Sequence, residues 1–278
     1  MARYTVGALT KKVENGEKLV MITAYDYSSA ALAELAGVDM ILVGDSLGNV
    51  MLGYDSTIPV TMEDMIHHTK AVSRAVKKAM VVADMPYGSY EVSTEQAVTN
   101  AFRLIQEGGA QAVKLEGAQW APLVQEMTRR GIPVMAHIGL EPQVASLWEG
   151  YKTHGRDEDS AWALVDAAQA MEEAGAFSVL MECVAAEAAK LITDKVEVPV
   201  IGIGSGVNCD GQVLVFHDVL GITSAIGGHK PSFVKEYGHV GEDIVAAIRV
   251  YGQEVREGAF PDSEHCVKME ADEAKRIY

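Results

Sequence analysis

Apolar positions along the chain recur in a repeating unit: an amphipathic helical stretch, a glycine, a short apolar run, then a polar or charged residue. Residues 30–36 end at Gly37 and the run 40–43 leads to Asp45. Residues 97–107 end at Gly108-Gly109 and the run 112–115 leads to Glu116. The unit returns at 120–130, Gly131, 133–136 and His137, and at 161–174, Gly175, 177–181 and Glu182. Glycine just past a helix is a C-cap signal, and short apolar runs between helices read as strands of a parallel sheet buried on both faces. The pattern predicts strands at 19–23, 40–44, 80–83, 112–116, 133–136, 178–181, 199–203 and 212–216. Thr61-Met-Glu-Asp64 and Ser93-Thr-Glu-Gln96 resemble capping boxes and mark two helix starts.

Eight strands alternating with helices over ~250 residues is the size and number of a (β/α)8 barrel. The expectation is an α/β protein, a single-domain (β/α)8 TIM barrel over residues 1–278, with a short N-terminal helix and an acidic tail from Asp262. One interval fits poorly: residues 204–211 are too few for a crossover helix, so either that unit is degenerate or the last strands lie elsewhere. A doubly wound open sheet would usually carry G-x-G-x-x-G or a P-loop, and the chain has neither. The segments 45–59, 138–159 and 217–238 are long and follow strands, where barrel enzymes place their chemistry.

Composition narrows the function. With 39 Asp+Glu against 23 Lys+Arg, a net charge of -16 repels nucleic acid and anionic membranes. No segment reaches the ~18 uninterrupted apolar residues of a membrane span. Cys183, Cys209 and Cys266 form neither a zinc spacing nor an even disulfide set, as expected for a cytoplasmic protein.

The residues that close the strands are Asp26, Asp45, Asp84, Glu116, His137, Glu182, Ser205 and His217. In a barrel they share one mouth. Clustered carboxylates repel each other and take up protons unless a cation lies between them, and oxygen-only ligands suit Mg2+. Any one of these acids could instead cap the following helix. Lys114 and Glu116, two apart on strand four, share a face, inward if Val113 and Leu115 point out. They form either a satisfied core ion pair or a grip on a substrate carboxylate. His137 stands between a core and a catalytic histidine, whereas His67 and His68 read as surface residues. Gly202-Ile-Gly204-Ser-Gly206 is either a phosphate grip or tight rim packing. Gly44-Asp-Ser46-Leu-Gly48 matches G-x-S-x-G and resembles the GDSL hydrolase motif, with Asp262 and His265 as a late D-x-x-H. That rival leaves Asp84, Glu116 and Glu182 without a role.

Seven ordered blocks carry a closer resemblance. Val43-Gly-Asp-Ser-Leu-Gly-Asn49, Val82-Ala-Asp-Met-Pro-Tyr-Gly88, Ala112-Val-Lys-Leu-Glu-Gly117, His137-Ile-Gly-Leu140 with Pro142-Gln143, Leu180-Met-Glu-Cys183, Ile201-Gly-Ile-Gly204 and Asp210-Gly-Gln212 together resemble the ketopantoate hydroxymethyltransferase family. The resemblance implies a Mg2+-dependent barrel, a homodecamer, that moves a one-carbon unit from 5,10-methylenetetrahydrofolate to 3-methyl-2-oxobutanoate in pantothenate biosynthesis. It implies Asp45, Asp84 and Glu116 as metal residues and Asp45, Ser46, Asp84 and Lys114 around the keto acid, with Glu182 as the base. His137 joins the substrate-binding set from its place at a strand end. Glu141 and Val144 depart from the family's usual Thr and Ser, and 147–150 and 224–226 also differ; the metal and keto-acid residues are unaffected. A Mg2+-dependent lyase or mutase of the phosphoenolpyruvate mutase and isocitrate lyase type is the neighbouring alternative.

Overall fold

The computed structural model describes residues 3–145 and 150–277. Its eight strands form a closed parallel barrel in sequence order: β1 (Leu19–Thr23), β2 (Met40–Val43), β3 (Met80–Asp84), β4 (Ala112–Glu116), β5 (Val134–Gly139), β6 (Ser178–Glu182), β7 (Val200–Ile203) and β8 (Gly211–Leu214). Every expected strand is present, displaced by at most three residues at either end.

The helices interleave as the repeating unit requires. The N-terminal helix α1 (Val6–Glu14) precedes β1, and α2 (Tyr27–Leu35) follows it. A short α3 (Leu47–Val50) and α4 (Met62–Ala75) follow β2, α5 (Thr94–Gln106) follows β3, and α6 (Ala121–Thr128) follows β4. The turn α7 (Pro142–Ala145) and α8 (Glu158–Glu173) follow β5, and α9 (Ala186–Thr193) follows β6. After β8 come α10 (Phe216–Val219), α11 (Ile222–Ala225), α12 (Val240–Glu257) and α13 (Ala271–Ala274). Helices end on left-handed glycines at Gly37 (φ 80°) and Gly131 (φ 79°), a conformation that costs a residue with a Cβ about 1 kcal/mol or more.

No helix joins β7 to β8. Residues 204–210 make the whole connection, yet Ile201 pairs with Gly211 and Gly202 with Gln212 in parallel register, so this unit is degenerate and the strands lie where expected. Gly211 permits this closeness, since a Cβ there would meet the Leu19 carbonyl oxygen at 2.7 Å.

The core divides by strand parity. Leu19, Met21, Met40, Leu42, Met80, Val82, Ala112, Met135, Leu180, Ile201 and Val213 pack inside the barrel, where Leu9 of α1 joins them. Ile41, Val43, Val81, Ala83, Val113, Leu115 and Val134 point outward into the helical layer. Continuing the inward parity by two residues reaches Asp84, Lys114, Glu116, His137 and Glu182.

Thr61 and Asp64 form a reciprocal capping box on α4, whereas Ser93 caps α5 one way, by accepting from the Gln96 amide. Thr61→Ala is expected to remove about 1 kcal/mol of stability. A fall of roughly 2–4 °C in Tm by circular dichroism is the check; an unmoved Tm would show the cap to be redundant.

By their contacts the residues group into two compact units. The first runs to Phe216 and includes Pro231–Val234, thereby containing the barrel; the second comprises His217–Lys230 and Lys235 onward. Within the second, α12 leaves Ile244, Val245, Ile248, Tyr251 and Val255 exposed at helical spacing. The acidic tail holds only the four-residue α13. Among the described residues, no helix is long and apolar enough to cross a membrane.

Candidate active site

The carboxyl ends of β2 to β6 bring most of the expected residues together. Asp84 lies in register with Lys114, Glu116 with His137, and Glu182 with Gly139. Lys114 is the hub: its Nζ is 3.1 Å from Asp84 Oδ1, 3.6 Å from Glu116 Oε1 and 3.2 Å from His137 Nδ1. His137 Nδ1 also lies 3.3 Å from Glu116 Oε1, and its Nε2 is 3.5 Å from Glu182 Oε2. Asp45 joins through its backbone, whose N–H donates to Asp84 Oδ2 at 3.0 Å. Ser46 Oγ is 2.9 Å from the Tyr25 hydroxyl.

Burial and charge set the protonation tendencies. Burial would push the Lys114 ammonium down, but Asp84, Glu116 and Asp45 hold it above lysine's ordinary value. Burial, reinforced by Asp84 and Glu116, pushes the Asp45 carboxyl well above the usual range. Burial also raises Asp84, against the pull of Lys114. For Glu116 burial is outweighed by His137 and Lys114, which keep its carboxyl below the ordinary value. Glu182 is pushed up to about 7, chiefly by burial, with His137 opposing and Glu116 assisting. Its side chain is 17% exposed, whereas Lys114, Asp84, Glu116 and His137 are at 4% or less. Glu182 is therefore the ionisable group of this cluster most open to a substrate.

The backbone beyond Glu182 is strained. Cys183 has φ 51°, the left-handed region, and is pinned by its N–H to the Ile203 carbonyl (2.9 Å) and by the His154 N–H to its own carbonyl (2.8 Å). Burial and the neighbouring Glu182 push its thiol up to about 11, so it is protonated at neutral pH.

Other expected residues lie elsewhere. Asp26 caps α2, accepting from the Ser29 N–H at 2.7 Å, so the capping reading is the right one for this acid. Ser205 Oγ donates to the Met181 carbonyl at 2.9 Å and accepts from the Val184 N–H at 3.2 Å, a buried tie between neighbouring segments. His217 lies in α10. The glycines 202, 204 and 206 are explained by packing: Cβ atoms there would meet Cys209 Sγ, the Phe233 ring and the Ala186 Cβ at 2.7–2.8 Å. His67 is exposed as expected, but His68 is not a free surface group: its Nδ1 is 2.6 Å from the Tyr25 carbonyl oxygen. His265 pairs with Asp262 at 2.7 Å, and the described partner of Ser46 is a phenol rather than a histidine. Residues 147–149 of the departing loop lie outside the described residues.

Three residues enter the site that the strand-end pattern does not flag. Tyr25 is fully buried against Ser46. Gln143, already within the Pro142-Gln143 block, donates from Nε2 to Asp45 Oδ2 at 2.8 Å, and its backbone N–H reaches Glu116 Oε2 at 3.1 Å. Tyr90 donates to Gln143 Oε1 at 2.6 Å. All three follow the carboxyl end of a strand, Tyr25 two residues past β1, Tyr90 six past β3 and Gln143 four past β5, and that position was the available signal.

As a cation site the mouth has the appropriate chemistry. Asp84 Oδ1 is a buried oxygen 3.1 Å from Lys114 Nζ, and Asp45 and Glu116 bring further carboxylate oxygens to the mouth. Among the described residues, no three His, Cys, Asp or Glu side chains form a ready-made cage. Mg2+ does not require one, because it commonly takes one or two protein carboxylates and completes its shell with water and substrate.

Fold and site together define a (β/α)8 barrel whose mouth gathers a buried cluster of ionisable side chains. The chain belongs to the ketopantoate hydroxymethyltransferase family, whose model matches residues 3–263. It is 54% identical over 279 residues to the 3-methyl-2-oxobutanoate hydroxymethyltransferase of Carboxydothermus hydrogenoformans, covering 100% of both chains. It is 52% identical to the enzyme of that name from Clostridium novyi, covering 99% of this chain and 100% of the other. Solved structures of similar fold include a phosphonopyruvate hydrolase with oxalate and Mg++ (TM-score 0.61, 16% identity, 100% and 98% covered). Another is 2,3-dimethylmalate lyase, a PEP mutase/isocitrate lyase superfamily member (TM-score 0.59, 16% identity, 98% and 96% covered).

Proposed function

We propose that the chain transfers a hydroxymethyl group from 5,10-methylenetetrahydrofolate to 3-methyl-2-oxobutanoate, giving ketopantoate for pantothenate synthesis. The observation that carries this reading is the placement of Glu182, the most open carboxyl of the mouth, 3.5 Å from His137 Nε2, whose Nδ1 is 3.2 Å from the buried Lys114 ammonium. Lys114 and Ser46 bind the keto acid, Lys114 neutralising its carboxylate. His137 stands between Lys114 and Glu182 and fixes the distance across the mouth. Asp45 and Asp84, with Glu116 beside them, would hold a Mg2+ ion, which when bound supplies positive charge at the keto oxygen.

Glu182 takes the proton from C3, and the electron pair passes into the enolate. C3 then forms a bond to the folate methylene carbon as one of that carbon's two bonds to nitrogen breaks, the freed nitrogen taking the proton held by Glu182; water next bonds to the same carbon as its second bond to nitrogen breaks, the oxygen becoming the hydroxyl, its proton passing to that nitrogen, and tetrahydrofolate leaving. The protein works in the cytoplasm, a reading supported by its three free cysteines. It acts as a homo-oligomer, a decamer by resemblance, a reading supported by the exposed apolar stripe of α12.

The test is deuterium exchange at C3 of 3-methyl-2-oxobutanoate, followed by NMR. Exchange is expected with Mg2+ and lost on chelation. Absent exchange, or exchange indifferent to chelator, would remove the enolate reading.

A further inference from the structure

Gln143 is buried and every polar group of its side chain is engaged. Nε2 donates to Asp45 Oδ2 (2.8 Å) and to the Met85 carbonyl (2.9 Å), and Oε1 accepts from the Tyr90 hydroxyl (2.6 Å). The orientation of this amide is forced. Asp45 and Met85 both present acceptors, so the NH2 group must face them, and the oxygen is left facing Tyr90, which must donate. Tyr90 has the means to hold that role. Its ring lies edge-on to Trp120 at 5.6 Å, and Asn100 ties its loop by donating to the Ser89 carbonyl at 2.8 Å.

The relay has a direct consequence at Asp45. The carboxylate has its Oδ2 held by the Gln143 amide at 2.8 Å. A hydrogen bond donated to one oxygen fixes the direction in which the carboxylate points. We propose that Tyr90 and Gln143 are positioning residues for cation binding, Tyr90 fixing the Gln143 amide so that it holds and orients the Asp45 carboxylate. The inference rests on Asp45 being a cation ligand, as read above. It concerns residues contributed by the β3 and β5 loops, 53 positions apart in sequence, with Asp45 a further 45 positions before Tyr90.

The experiment is Mn2+ binding to the metal-free protein, without substrate, by titration followed with electron paramagnetic resonance. Gln143→Met is expected to weaken Mn2+ by about 10- to 100-fold, the usual effect of removing a partner of a metal ligand. Tyr90→Phe, a milder change that keeps the packing, is expected to weaken it by about three- to tenfold. Because Tyr90 acts through Gln143, the double variant should bind within about twofold of Gln143→Met alone. Variants that lose only Tm and keep the wild-type Mn2+ affinity, or whose effects on affinity simply add, would overturn the relay. Asp45→Asn separates the two readings. If it leaves Mn2+ binding intact, the cation assignment itself fails; if it abolishes binding while Gln143→Met and Tyr90→Phe do not weaken it, only the positioning role fails.

Discussion

Glu182→Gln is expected to slow C3 deuterium exchange by roughly 10²–10⁴-fold, the usual contribution of a positioned general base. The keto-acid Kd should change by less than about threefold, because the amide keeps the size and much of the polarity of the carboxylate while losing its basicity. Exchange at the wild-type rate would reassign the base. The pH profile follows from the same group. Glu182 acts as a carboxylate and its pKa lies near 7, raised by burial and Glu116 against His137 and Lys114, with Asp84 adding to the rise. Below about pH 7 the base is progressively protonated, so kcat/KM should rise tenfold per pH unit up to that point and then level off. Stability without metal runs the opposite way. A carboxyl whose folded-state pKa is raised binds more protons folded than unfolded, so its contribution is complete below the unfolded value and is lost as pH climbs to about 7. Glu182→Gln removes that loss, and its Tm should exceed the wild-type value above pH 7 while the two converge in acid. A kinetic loss with no pH-dependent gain in Tm would place the effect on geometry rather than on charge.

Much of this was legible in the sequence because a barrel strand translates linear spacing directly into position. Alternation by two takes Ala112 to Lys114 to Glu116 along one inward face, and the apolar run before each acid marks the depth at which it emerges. The barrel followed from the repeating helix, glycine and apolar run, and the family resemblance from blocks of which six lie at strand ends while Asp210-Gly-Gln212 opens β8. The less legible parts depend on partners distant in sequence. Asp26 and Asp84 look alike as acids after an apolar run, but Ser29 lies three residues beyond Asp26 and draws it into a cap. Gln143 meets Asp45 across 98 positions, and no local periodicity encodes that meeting. Likewise His68 looks like a surface residue by helix position; only the fold shows the Tyr25 carbonyl over its ring nitrogen. Loop glycines were ambiguous for a related reason, since close approach by Phe233 and approach by a phosphate make the same demand on Gly204.

Lys114→Met is expected to be the most damaging single change to the folded protein. Methionine matches the lysine stem, so little packing is lost, and what disappears is the positive charge shared by Asp84, Glu116 and Asp45. Removing one member of a buried ion pair typically costs about 3–5 kcal/mol, because the remaining charge is left without compensation. The midpoint of urea denaturation should therefore fall sharply, and keto-acid binding should be lost together with its anion partner. The direction with pH identifies the cause. Without the ammonium, Asp45 and Asp84 are driven further upward and Glu116 loses one of the two cations that hold it down, so the folded state takes up protons and the variant should lose more stability than the wild type between pH 5.5 and 8. Adding Glu116→Gln removes one uncompensated charge and should recover part of the midpoint at pH 8, with little effect at pH 5.5. A destabilisation equal at both pH values, and untouched by Glu116→Gln, would mean that Lys114 serves by shape; the packing of its stem, rather than its charge, would then hold the mouth together.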